Sequence, residues 1–198
     1  ATGGAVCVLL TVNGVNVWLA VLAAMLVGMA AGLVTGLFHT KCGIPAILAG
    51  ILTQLALYSI NLRIMGWGST AGTQSTLAVS VDKFDLLVSS RFVRELSLRN
   101  PILLLVVISA AVVGLLYWFF GTEIGCGIRA TGANRNMARA QGINTERNAV
   151  IGLMLSNGIV ALAGAFIAQY QGSSTVDMGR GAIVIGLAAV IIGEVILG

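Results

Sequence analysis

The densest charge chemistry in the chain lies in residues 127–144, GIRATGANRNMARAQGIN, which carry Arg129, Arg135 and Arg139 and no acid. Guanidinium groups bind anions such as carboxylates, phosphates and lipid headgroups. Arg135 and Arg139 stand four apart and share a helix face, while Met137, Ala138 and Ala140 leave a small, smooth surface around them. A nucleotide cradle would need GxxxxGK[ST] after a strand, and neither precedes this segment. Cys7, Cys42 and Cys126 are far apart and lack ligand spacing, so they read as small apolar residues, not as a metal site or a disulfide. His39 reads as an interfacial residue, not a proton relay. No catalytic group, metal site or cofactor is expected. The other chemistry-bearing side chains are polar groups set inside apolar runs: Gln54, Ser156, Asn157, Gln169 and Glu194.

Composition explains why those groups matter. The chain is 58% hydrophobic and 9% charged, with a mean hydropathy of +0.99. A soluble domain is about 45–50% apolar and about 25% charged, so this chain has too little polar surface to cover a globule in water. It reads as an integral membrane protein. The net charge of +4 does not point to nucleic acid, because most basic residues flank apolar runs, where lipid headgroups account for them. With 26 glycines and two prolines, the chain suits helices packed through small residues. The expected fold is all-α, a polytopic transmembrane bundle in one domain over 1–198.

Five apolar runs serve as expected spans: 17–38, 45–62, 101–121, 149–170 and 182–198. A helix of about 22 residues covers roughly 33 Å, enough for the hydrocarbon core. Residues 3–12 are too short to cross alone and read as the end of a truncated span; the chain stops inside an apolar run and reads as an internal piece of a longer one. In the first span Gly28, Gly32 and Gly36 recur every fourth residue, a ridge of missing side chains that lets another helix approach closely. Packing within the chain is the expected use of that ridge, ahead of a dimer contact. Residues 81–96 fit either a surface-lying amphipathic helix or part of an extramembrane cap. Polar groups in lipid need partners, so Gln54, Ser156, Asn157 and Gln169 are expected either to line a solute path or to bond helix to helix. Glu194 is expected to be protonated, paired or near the membrane edge.

Counting crossings puts Lys41, Arg129, Arg135, Arg139 and Arg147 on one side, and Arg63, Lys83, Arg91, Arg94, Arg99 and Arg180 on the other. Charge alone therefore gives no orientation; the dense arginine loop favours calling its own side cytoplasmic. Within that loop Thr131 or Asn134 can cap a helix, residues 134–141 supply about two turns, and Gly142 suits a left-handed stop. So short a helix does not hold by itself in water and must dock on something, whether headgroups or protein.

The run RATGANRNMARAQGIN resembles the coupling-helix signature of permeases of the ABC importer family that handles branched-chain amino acids, simple sugars and related solutes. HTKCGIPAILAGILTQLALYSINLRIMG (39–66) and GRGAIVIGLAAVIIGE (179–194) fit the same pattern. The likeness covers most of 16–198 and leans towards the tryptophan or amino-acid branch. It implies that 129–143 is a cytoplasmic coupling helix seated in a separate ATP-binding subunit. Arg129, Thr131, Gly132, Asn134, Ala138, Gly142 and Ile143 match the signature, and Arg139 lies on the same segment. The implied partners are that ATPase, an extracytoplasmic solute-binding protein, a second permease copy and the lipid bilayer of a bacterial cytoplasmic membrane. ATP hydrolysis would belong to the separate subunit, and the solute would be an amino acid or, failing that, a sugar or nucleoside. The rival readings are an ion-coupled secondary transporter, which favours intramembrane acid clusters or paired broken helices, and a non-transporting membrane scaffold.

Overall fold

The structure, a computed structural model, describes residues 1–66, 76–78, 101–179 and 182–197. Its helices are α1 (Thr2–Val12), α2 (Val17–Lys41), α3 (Ala46–Met65), α4 (Pro101–Phe120), α5 (Glu123–Ala133), α6 (Arg135–Ala140), α7 (Thr145–Gln171) and α8 (Ala182–Leu197). Two short strands, β1 (Thr76–Ala78) and β2 (Ser173–Thr175), pair antiparallel with Leu77 opposite Ser174. A 3-10 turn, Val176–Gly179, follows β2. The fold is a helical membrane bundle, and the ribbon is an addition that hydropathy did not signal. Residues 81–96 and Arg180 lie outside the described residues, as does the side chain of Glu194.

Caps, more than hydropathy, set the helix ends. Asn16 opens α2 by accepting from the Trp18 amide at 3.2 Å, and Asn144 opens α7 by accepting from the Arg147 amide at 3.1 Å. These side chains satisfy amides that have no partner inside the helix. As a result α7 starts four residues before its apolar run, with Glu146 in the first turn, where an anion complements the helix dipole. It stops at Gly172, whose φ of +65° is left-handed.

Three helices, α2, α3 and α7, are long and apolar enough to cross a membrane among the described residues. Counting the bent pair α4–α5 as one span makes four. α2 lies antiparallel on α7, and its glycine stripe is the seam. A Cβ on Gly28 would sit 2.8 Å from the Asn157 carbonyl oxygen, and one on Gly32 2.5 Å from the Leu153 carbonyl oxygen. On Gly36 it would meet Val150 at 3.1 Å. From the other side, a Cβ on Gly158 would strike Met29 at 2.7 Å. The backbones therefore touch where side chains normally intervene. α1 wedges alongside: Cys7 packs with Ala20, Val21, Ala24 and Ala165. α3 returns antiparallel to α2 and is tied to it by the Thr35 hydroxyl, which donates to Thr53 Oγ1 at 2.9 Å; Thr53 donates on to the Ala49 carbonyl.

The size order of side chains is inverted relative to a water-soluble protein. The largest fully buried side chains are Met65, Val8, Cys7 and Ser174, while Leu26 (65% exposed), Ile47 (77%) and Val160 (67%) point outward. In lipid there is no hydrophobic gain from hiding leucine. Dispersion between closely apposed backbones drives association instead, and small residues allow it.

The seam makes a graded prediction. Gly32→Ala should destabilise the protein by roughly 1–3 kcal/mol through overpacking, read as a lower unfolding midpoint in detergent. Gly50→Ala should leave stability equal or slightly higher, because a Cβ on Gly50 meets nothing within 4 Å and alanine favours the helix by about 1 kcal/mol. Equal midpoints for Gly32→Ala and the parent would contradict the seam.

Candidate functional site

The arginine-bearing segment is built from the end of α4 onward. Thr122 ends α4 by donating its hydroxyl to the Phe119 carbonyl at 2.6 Å and starts α5 by accepting from the Gly125 amide at 3.4 Å. Between α4, taken from Leu105, and α5 the axis turns by 82°. Gly125 makes that corner possible, since a Cβ there would lie 2.5 Å from Phe120 Cα. α5 thus turns sharply away from the direction of α4.

α5 docks on the first turns of α7. Thr131 donates to the Gly127 carbonyl at 2.7 Å and accepts from Asn148 Nδ2 at 3.4 Å. Gly127 lets Asn148 come close, and Ile128 faces Gly152. At Asn134 the backbone becomes extended (φ −153°, ψ 103°), and its Oδ1 accepts from the amides of Asn136 and Met137, both at 3.1 Å. The segment expected as one helix over 129–143 is therefore two: the last turn of α5, a break at Asn134, and α6. Asn134 is the cap; Thr131 is spent on the α5–α7 contact. After α6, the Ile143 amide bonds back to Ala138 O at 3.0 Å and Gly142 takes φ +79°, a conformation that places the Cβ of other residues against the backbone.

Arg139 ties α6 to α7: its Nε donates to Thr145 Oγ1 at 3.0 Å, and Nη2 stands 3.6 Å from Glu146 Oε1. The ion pair is more than half exposed on both sides and contributes little. Thr145 is buried, so the hydrogen bond is the firmer anchor. The signature residues divide by environment. Ala138 is buried, with Thr131 and Ile143 half-buried against the bundle, whereas Arg129, Gly132, Asn134, Arg139 and Gly142 are exposed, as is Met137. Arg135 Nε is closed off and has no hydrogen-bond partner among the described residues. An open groove of about 350 Å³ lies along α5, lined by Cys126, Arg129, Ala130 and Ala133.

The polar side chains expected to line a path do not gather in one place. Gln54 and Ser156 are exposed on α3 and α7. Asn157 donates Nδ2 to the Leu153 carbonyl within its own helix at 2.9 Å, beside the glycine seam. Gln169 is buried and donates Nε2 to Cys7 Sγ at 3.2 Å, joining α7 to α1. Hydropathy missed Asn148 and Thr145, because both precede the apolar run at which the span was taken to begin. It also missed Ser174, fully buried in a segment that reads as a connector. A cap pattern, Asn144 followed by Glu146, was the available signal for the earlier start of α7.

The structure thus presents apolar helices with small residues inside and large ones outside, and a short arginine-bearing pair of helices packed on the first turns of α7. The chain belongs to the family of permease components of branched-chain amino acid transport systems, whose pattern matches residues 1–198. It is 38% identical to the tyrosine transport system permease protein of Clostridioides difficile (strain R20291), across 91% of this chain and 56% of that protein. It is 28% identical to the ribose import permease protein RbsC of Escherichia coli (strain K12), across 98% of this chain and 57% of the relative. With the autoinducer 2 import system permease protein LsrC of Yersinia pseudotuberculosis serotype IB (strain PB1/+), identity is 29% over 89% of this chain and 46% of the relative. The chain thus spans about half the length of the curated relatives it matches. No solved structure matches it significantly.

The break at Asn134 yields a test. Asn134→Ala removes the cap of α6 at a cost of about 1 kcal/mol, and Gly142→Val forces a β-branched residue into the left-handed region at a further 1–2 kcal/mol or so. Hydrogen exchange of the 135–143 amides should rise in both variants while the α2 and α7 amides keep their protection.

Proposed function

We propose that this chain is the membrane-embedded part of a permease subunit of an ABC importer in a bacterial cytoplasmic membrane, and that α5 and α6 form its docking surface for a separate ATP-binding subunit. The observation that carries the reading is that Arg129, Gly132, Asn134 and Met137 are exposed together on one short segment anchored to α7. A Cβ on Gly132 would meet nothing within 4 Å among the described residues, as at Gly50, so the glycine leaves the outer face of that segment bare. It lies exposed beside Asn134, Met137 and Arg129, where bare backbone and cations would suit close approach of an acidic groove. The ATPase would supply the hydrolysis, and this subunit would carry out none.

Movement applied to α6 would pass through Arg139–Thr145 and Thr131–Asn148 into α7, and through the glycine seam into α2. The two long helices would then tilt as one body between inward- and outward-open states. A second permease copy would complete the pathway, and an extracytoplasmic binding protein would deliver the solute. An amino acid is the favoured solute, since the 38% relative is a tyrosine transport system permease; a sugar is the second reading, resting on the ribose relative at 28%. An ion-coupled secondary transporter is disfavoured by family membership.

The full-length protein carrying this chain should co-purify with an ATP-binding subunit. Met137→Asp and Arg129→Glu change exposed side chains that make no hydrogen bond or ion pair among the described residues, and should lower the captured ATPase by about tenfold or more without shifting the unfolding midpoint. Undiminished capture by both variants, or uptake driven by an ion gradient with no ATPase present, refutes the assignment.

A further inference from the structure

One face of α3 passes from open to closed along its length. Steps of three, four or seven residues stay on one side of a helix, so Ile47, Gln54, Tyr58, Asn61 and Met65 form a single stripe. Ile47 is 77% exposed and Gln54 is exposed; Tyr58 falls to 37%, Asn61 to 3% and Met65 to 1%. The open end lies on the side of α6. α3 begins just after α2 ends, and Gly36, near that end, meets Val150 in the early turns of α7. Those turns hold α5 and α6 through Asn148 and Thr145. At the closed end Met65 packs with Ala5 and Val176, and Leu77 joins them.

The opposite side of α3 carries Leu48, Leu52 and Leu55, all exposed, as a lipid-facing surface requires. Gln54 is different. Its amide brings two donors and an acceptor to the middle of a span, where hydrocarbon satisfies none of them. Further along the same stripe, Asn61 Oδ1 is buried with no hydrogen-bond partner among the described residues. Polar groups gathered on one face of a crossing helix, apart from its leucines, belong against protein or water. Side-chain size favours water. Where α2 and α7 touch, the contact is made of Gly28, Gly32 and Gly158, whereas the open part of this stripe carries isoleucine, glutamine and tyrosine, which hold a neighbour off. Met65, at the closed end, is unbranched and flexible, which suits a seal that must repack.

We propose that this stripe of α3 lines the solute path, with Gln54 in its water-filled part on the ATPase side and Met65, packed on Ala5 and Val176, as the seal at the far end. This rests on the importer reading and gives it a path and a gate.

The test uses the full-length protein bound to its ATPase in membrane vesicles, with Cys42→Ser and Cys126→Ser as background; Cys7 is fully buried. A small, charged, membrane-impermeant thiol reagent should label Gln54→Cys from the face that carries Arg139 and leave Leu55→Cys, one residue on, unlabelled. Met65→Cys should stay unlabelled from either face without nucleotide. A non-hydrolysable ATP analogue that holds the ATPase closed should expose Met65→Cys from the opposite face and end the labelling of Gln54→Cys. Should Met65→Cys not reach the membrane, Val176→Cys reports on the same seal. A silent Gln54→Cys means that protein or lipid covers the stripe and overturns the path, as does equal labelling of Gln54→Cys and Leu55→Cys. A seal that no nucleotide state exposes overturns the gate. Labelling at both positions that switches with an ion gradient, with no ATPase bound, overturns the importer reading and leaves the path standing.

Discussion

The architecture depends on one constraint: α2 and α7 approach until backbone meets backbone, with Gly28 and Gly32 against the carbonyls of Asn157 and Leu153. Lipid offers no hydrophobic reward for hiding large side chains, so short-range dispersion between closely apposed surfaces must hold the pair. Other features follow from that distance. Alanines and glycines line the interior, leucines and isoleucines face outward, and α1 fits beside the seam only because Gly3, Gly4 and Ala5 carry little or no side chain. Thr35 and Thr53 then add a hydrogen bond that sets how α3 rotates against the pair.

α5 and α6 are too brief to be stable alone, and the structure supports them with Asn148, Thr145 and the corner at Gly125. Their inward residues serve those contacts, and their outward residues carry exposed charge and bare backbone. The segment thus contains two environments: Thr131 and Ala138 face the bundle, while Arg129 and Gly132 are exposed. Arg139 joins both groups, since its Nε is engaged with Thr145 and its head remains more than half exposed.

Hydropathy located the long helices because a crossing requires nearly continuous apolar sequence, a signal that survives any tertiary arrangement. Their ends were less legible. α7 begins at Thr145 because Asn144 caps it, and a cap is a single hydrogen bond that an average over eighteen or more residues dilutes. The glycine period in α2 was readable as a close-contact face, but not its target, since α7 lies more than a hundred residues further on. The polar side chains inside the spans gave the weakest guide. Gln54 and Ser156 face outward, Asn157 satisfies itself on Leu153, and the buried oxygens without a partner among the described residues include that of Ser174, from a segment whose polarity resembles an ordinary connector.

Taken alone, the order of residues determined the solvent of this protein, the rough extent of α2, α3 and α7, and the place of the short arginine-bearing segment, because each depends on local composition or short periodicity. Tertiary structure decided that this segment is two helices meeting at Asn134, that Arg139 points back to Thr145, and that Gln169 reaches Cys7. Those outcomes depend on which distant backbones can touch. Contact at that range is set by side-chain volume on both partners at once, and no window along a single chain contains both.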